Sequence, residues 1–294
     1  MGNIFSDIGK AINNIFKGIG QIFTNVISWF IDIPSVPDFD SDLADQNARG
    51  VLLNKQSNNA HIPVIYGERL VGGVRIFLET SGENDNQYLY GAIVLCEGKI
   101  NNITQIKVND DAVTFDGSIA DGTQITSNDS RFGTTITIQP FFGADGQSAS
   151  SLLSTLTNWG SNHKLSGVSY IAFRIEWDAD KYTGIPNIQA KVQGKLISTY
   201  DGSSNETANQ YSTNPAFILL NYLTDTRFGK GIPIANIDIP SFYTASTVCA
   251  TQITPYSGAS QINLIDTNVV LDTSNKIIDN VKNLLRGMRG LLTY

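Results

Sequence analysis

The stretch from Gly50 to Gly98 constrains this chain more than any other. It reads GVLLNKQSNNAHIPVIYGERLVGGVRIFLETSGENDNQYLYGAIVLCEG. Three apolar segments, Ile62 to Tyr66, Leu70 to Leu78 and Tyr88 to Leu95, are rich in β-branched and aromatic residues, the composition of paired strands. Gly67, the Gly72-Gly73 pair, Gly82 and Gly91 supply turns, kinks or close approaches that a side chain would block. The stretch holds no catalytic constellation. It is a frame that later segments can join.

Bulk properties narrow the function. With 294 residues the chain can bury substantial cores in about two domains. Only 16% of residues are charged, against about 25% in ordinary soluble domains. Asn, Ser, Thr and Gly fill the gap, giving a polar, weakly charged surface of the kind found where subunits meet, and also in secreted carbohydrate-binding proteins. Net charge is −7 and no Lys/Arg cluster occurs, so a nucleic-acid partner is not expected. Cys96 and Cys249 lie on apolar stretches and read as two buried thiols.

Residues 4 to 31 carry helical periodicity. Phe5, Ile8, Ile12, Ile15, Ile19, Phe23 and Phe30 recur on one stripe, with Phe16, Val26 and Ile27 beside them. Polar residues interrupt every turn, so the segment is not a membrane span. It suits docking onto a partner protein or lying in a membrane surface. Gly9, Gly18 and Gly20 each weaken an isolated helix by roughly 1 kcal/mol, so its order would depend on that partner. From Asp32 to Ala60 the prolines and the run Asp38-Phe39-Asp40-Ser41-Asp42 indicate an extended arm. A calcium-loop reading of that run fails, because Leu43 and Arg49 stand where Gly and Glu are required.

Further along, Ile100 to Val108 and Ala112 to Phe115 alternate around Asn109-Asp110-Asp111, a hairpin pattern. Residues 134 to 142, 168 to 177 and 188 to 197 form three more strands, the last expected to pair with the one before it. Residues 148 to 159 predict a helix capped by Ser148, with Leu152, Leu153, Leu156 and Trp159 on its buried face. Asn214-Pro215 opens a second helix, ended by Phe228 to Gly231. A third follows Pro240, then strands near 261 to 265 and 268 to 271, and Thr273-Ser274 opens a last one. The fold class is therefore α+β and β-rich, with mostly antiparallel sheets, a few short helices and an N-terminal amphipathic helix.

Chemistry is sparse. His61 and His163 have no ligand-spaced neighbours, so no metal or cofactor is expected. No nucleophile elbow, phosphate loop or dinucleotide fingerprint occurs. The pairs Asp110-Asp111 and Asp178-Asp180 read as solvated turn formers, and nothing points to an enzyme. A glycan-hydrolysing protein using Asp178 and Asp180, a secreted glycan-binding protein and a membrane-surface protein using residues 4 to 31 stand as alternatives.

Several motifs, taken in order, carry a resemblance. Ile62-Pro63-Val64-Ile65-Tyr66-Gly67 with Val71-Gly72-Gly73 and Glu97-Gly98-Lys99-Ile100 comes first, followed by Phe132-Gly133 and Asp145-Gly146-Gln147. Then come Trp159 with His163 to Tyr170, Gly184-Ile185-Pro186-Asn187-Ile188 with Val192 to Lys195, Asn214-Pro215-Ala216 with Arg227 to Gly231, and Leu271-Asp272-Thr273 with Asn280 to Leu292. Over residues 50 to 294 this order resembles the tail tip attachment protein J family, the central hubs of long flexible-tailed bacteriophages.

The resemblance implies a structural virion protein and no catalytic residues. It implies a homotrimeric hub joining the distal tail ring and the tape measure protein to other tail tip or fibre proteins, around the DNA exit channel, with contact to the host membrane. Its location would be the virion tail tip, after assembly in the host cytoplasm. Domains are expected at 1–33 (helix), 34–60 (arm), 61–200 (β-rich hub domain) and 201–294 (second, mixed hub domain). Gly67, Gly72, Gly73, Pro186 and Gly231 would hold constrained turns, and the N-terminal stripe would dock a partner such as the tape measure protein. In the family the chain continues beyond the point matched by Tyr294, so receptor-binding parts are expected in a longer or separate chain.

Overall fold

The computed structural model describes residue 54, residues 60–82 and residues 87–292. The amphipathic segment and most of the arm lie outside the described residues.

The chain opens with β1 (Val64–Tyr66), β2 (Glu68–Val71), β3 (Val74–Ser81) and β4 (Tyr88–Glu97). β5 (Ile100–Val108) turns into β6 (Asp111–Ala112), and β7 (Ile125–Thr126), β8 (Ile136–Phe142) and β9 (Val168–Glu176) follow. Next come β10 (Ile188–Lys195), β11 (Ile197–Tyr200) and β12 (Glu206–Gln210). The remainder holds helix α1 (Pro215–Thr224), α2 (Ile239–Cys249), β13 (Gln252–Ile253), β14 (Ile262–Asn263), β15 (Val269–Leu271) and α3 (Ile277–Met288). The fold is β-rich with antiparallel ladders, as the alternating segments require.

A five-stranded sheet in the order β3-β4-β9-β8-β7 packs on a four-stranded sheet, β2-β10-β5-β6. Ile93, Ile171 and Phe173 from the first meet Ile103, Ile106, Ile188 and Val192 from the second in one core. The other face of the five-stranded sheet, with Tyr90, Val94 and Tyr170, is covered by Leu152, Leu153, Leu156 and Trp159. β4 and β9 are thus buried on both faces, which is why they read as continuous apolar runs.

Two expectations are corrected. β10 pairs with β5 and β2, and not with β9, whose neighbours are β4 and β8. Residues 148 to 159 bury the expected leucines and tryptophan, yet they form successive turns and not a helix. Leu156 and Trp159 donate to carbonyls three residues back, at 3.0 and 3.4 Å. The Leu152 amide donates to the Gln139 side-chain oxygen at 3.1 Å, and the Leu153 amide to Ser150 Oγ at 3.3 Å. Side chains take the amides that a helix would have kept, which is how Ser and Gln compete with helix formation.

The hairpin between β5 and β6 is closed by Asn109 and Asp110, both left-handed with φ of 50° and 69°. That geometry matches the twist of the flanking strands. Asn214 caps α1 through Oδ1, which accepts from the Ala216 amide at 3.1 Å, and Pro215 occupies the first turn.

β1 pairs with β15 from the far end of the chain, Val64 opposite Leu271 and Tyr66 opposite Val269. Its side chains alternate between two cores. Ile65 joins the core between the sheets, while Val64 and Tyr66 join α1, α3 and β15 in a second core. All three are fully buried. Beside them Gly194 donates its amide to Gly67 O at 2.7 Å, and a Cβ on Gly194 would lie 2.1 Å from Ile65 O.

Gly194→Ala should therefore force β1 and β10 apart and cost about 2 kcal/mol, the scale of core overpacking. Gly146→Ala, with nothing within 4 Å of the added carbon, should shift stability by less than about 0.5 kcal/mol. Urea denaturation midpoints of the two variants check the contrast.

Candidate functional site

Three of the motif pieces far apart in sequence converge on one place. Glu97 ends β4, Lys195 ends β10, and Asp225 to Gly229 form the loop leaving α1. Asp225 shapes that loop. Its Oδ1 accepts from the amides of Arg227 and Phe228 at 2.8 and 3.2 Å, and its carbonyl accepts from Gly231 at 3.0 Å. Gly229 passes so close to α1 that a Cβ would lie 2.0 Å from Tyr222 O, so only glycine fits.

The loop then presents its charges to the strands. Arg227 Nε lies 2.8 Å from Glu97 Oε1, and Lys195 Nζ lies 3.4 Å from Asp225 Oδ2. Lys195 Nζ also sits 4.6 Å from the centre of the Phe228 ring, a cation–π contact. Two acids and two bases balance. Glu97 is only 9% exposed and Arg227 63%, so the pair joins a buried carboxylate to a solvated guanidinium. Burial raises the Glu97 pKa above the usual carboxylate range, although Arg227 and Lys195 oppose the shift.

Beneath this cluster Tyr66 Oη donates to Asn221 Oδ1 at 2.7 Å, and Asn280 Nδ2 donates to Tyr222 Oη at 2.9 Å, linking β1, α1 and α3. A cleft of about 430 Å³ opens beside it, lined by His61, Glu97, Arg227, Phe228, Thr273 and Ile277. Its chemistry is that of a joint. Cys96, the nearest thiol, is fully buried, accepts the Ile65 amide at 3.2 Å and has its pKa pushed up to about 12 by burial, far from a reactive thiolate. Among the described residues no group of three or more His, Cys, Asp or Glu is placed to hold a metal.

The structure places the expected turn residues as follows. Gly67 has φ +69°, and a Cβ there would lie 2.3 Å from Asn268 Oδ1. Gly73 has φ +70°, with the Val94 carbonyl 2.4 Å from where a Cβ would stand. Gly72 offers its carbonyl to the Asn54 side chain. Pro186 is buried in the loop that meets the β5–β6 turn, where the Asn187 amide donates to Asn109 Oδ1 at 3.0 Å. Gly231, φ +70°, follows the Asp225 loop. These five do not form one site, and Phe5, Ile8, Ile12, Ile15, Ile19, Phe23 and Phe30 lie outside the described residues. Asp178 is a surface turn former. Its Oδ1 accepts from the Asp180 amide at 3.0 Å, and its other oxygen pairs with Lys181 at 2.6 Å, an interaction that lowers its pKa.

Sequence reasoning missed the Glu97–Arg227 and Lys195–Asp225 pairs as pairs. The available signal was that Glu97-Gly98, Gly194-Lys195 and Arg227-Phe228-Gly229 all fell within the quoted motifs. Their convergence needed coordinates.

No family model matches this chain. It is 23% identical over 291 residues to the baseplate hub protein pb3 of Escherichia phage T5, with 79% of this chain covered. The chain is similar to a phage baseplate hub protein. It spans only 30% of that relative's length. A solved chain from the virion of a native gene transfer agent particle is similar at 18% identity and a TM-score of 0.36, over 67% of this chain and 40% of that one. The similarity to the baseplate hub protein does not single out the tail tip attachment protein J family.

Because Glu97 carries a raised pKa in the folded protein, its contribution favours folding below the ordinary carboxylate pKa near 4.5 and is lost as pH rises through the folded value. Glu97→Gln should come close to wild type at pH 4, gain on it as pH rises through the folded pKa of Glu97, and keep that margin at pH 8. Denaturant titrations across that range check the sign.

Proposed function

We propose that this chain is a structural component of a phage tail, the hub at its tip, and not an enzyme. The observation that carries this reading is the sequence similarity to a baseplate hub protein over 79% of the chain. At the Glu97 joint the pairs Glu97–Arg227 and Asp225–Lys195 hold β4, β10 and the loop after α1 together, as a structural part requires. In finer detail, the chain would assemble as a homotrimer between the distal tail ring, the tape measure protein and the host-binding tip, surrounding the DNA exit channel. It would be assembled in the host cytoplasm and carried in the virion, as a J-type hub of a flexible-tailed phage would be. Low surface charge supports burial against other subunits, because ionised groups at interface cores cost desolvation.

In that role the turn residues Gly67, Gly72, Gly73, Pro186 and Gly231 keep the subunit rigid, and the stripe from Phe5 to Phe30 docks the tape measure protein. Domains at 1–33, 34–60, 61–200 and 201–294 remain the working division. Immunogold labelling of intact particles with antibodies to residues 60–292 should mark the distal end of the tail. Particles that infect normally and contain no such chain would overturn the reading.

A further inference from the structure

From Ile239 to Ile265 the chain carries no Asp, Glu, Lys, Arg or His, although the whole molecule has a net charge of −7. This segment comprises α2 and the β13–β14 hairpin, and it is poorly buried. In α2 only Ile239, Ser246 and Cys249 are buried. Val248 is 55% exposed, Ile253 36%, Tyr256 73%, Ile262 49% and Leu264 45%. The hairpin is held by two residue pairs, Gln252 opposite Asn263 and Ile253 opposite Ile262, and such two-stranded ribbons are marginal in water without a packing partner. Exposed apolar groups gathered this way mark contact surfaces.

The composition of the patch points to what covers it. The same segment carries Thr251, Gln252, Ser260, Gln261 and Asn263, whose amides and hydroxyls both donate and accept hydrogen bonds, Gln252 Nε2 already donating to Asn263 Oδ1 at 2.5 Å. Such a surface can satisfy an identical one, whereas a surface bearing one sign of charge would meet its own repulsion. Residues beside a rotation axis meet their own equivalents, whatever the number of subunits. For two acidic chains, a face with few charges, where Asp266 stands at the edge with its Oδ1 accepting from Asn263 Nδ2 at 3.0 Å, is where approach costs least.

We infer that the face formed by the end of α2 and the β13–β14 hairpin packs against the same face of other copies of this chain, around the symmetry axis of the assembly. This rests on the self-assembly reading proposed above and assigns it a surface. Along α2 the stripe Phe242, Ala245, Val248 continues into an apolar cleft of about 470 Å³ that also includes Leu219, Leu285 and Met288. The contact can therefore extend from the hairpin onto the helices.

The test uses the full chain and light-scattering mass at tens of micromolar. Wild type should show a multiple of the single-chain mass, and Ile262→Glu, which sets like charges against one another at the axis, should fall to the single-chain mass. Tyr256→Glu, at the most exposed of these positions, should do the same with an unchanged far-ultraviolet circular dichroism spectrum, which separates lost contact from lost fold. Tyr256→Cys treated with a short bis-maleimide should link copies to one another, since Cys96 and Cys249 are buried. A monomeric wild type would overturn the self-assembly reading and this proposal together. An oligomer that keeps its mass in both glutamate variants, or fails to cross-link through Tyr256→Cys, would overturn the placement of the axis alone.

Discussion

The structure depends on a three-residue strand that belongs to two cores at once. In β1 the alternation inherent to extended backbone sends Ile65 into the core between the sheets, and Val64 and Tyr66 into the core of α1, α3 and β15. No residue of the strand reaches solvent. The surrounding glycines follow from that crowding. Gly67 turns with positive φ against Asn268, and Gly194 lies where any side chain would strike the β1 backbone. A strand packed on both faces cannot move without disturbing both cores, so sheets and helices are held as neighbours by geometry more than by any single bond.

The charged joint is a second tie between the same parts. Arg227 and Lys195 meet Glu97 and Asp225 where β4, β10 and the loop after α1 come together, and the Tyr66–Asn221 and Tyr222–Asn280 hydrogen bonds continue beneath. A buried carboxylate is costly unless paired, and a half-solvated arginine offsets only part of that cost. The pair is better understood as fixing the loop's register than as a large source of stability. That suits a protein whose proposed place is between other subunits.

Local signals in the sequence were reliable where the physics is local. Asn109-Asp110 closes its hairpin because short polar residues tolerate left-handed backbone, and Asn214-Pro215 starts α1 because the side chain supplies a missing acceptor. The apolar spacing of Leu152, Leu153, Leu156 and Trp159 correctly marked a buried face. It could not reveal that Gln139, on a strand below, would capture the Leu152 amide and turn the segment away from a helix. Likewise β10 alternates cleanly, but alternation says which face is buried and not which strand lies alongside. The pairing of Val64 with Leu271 and the meeting of Glu97 with Arg227 depend on parts of the chain remote from one another, and no local pattern encodes them.

The shared-strand arrangement is tested most directly by native-state hydrogen exchange resolved at single amides. Amides of β1 and β15 should open only with the global unfolding that exposes β4 and β9, giving the same free energy of exchange. If β1 and β15 exchanged through a separate, lower-energy opening while β4 and β9 stayed protected, the two cores would be independent and the coupling through Ile65 and its neighbours would be wrong.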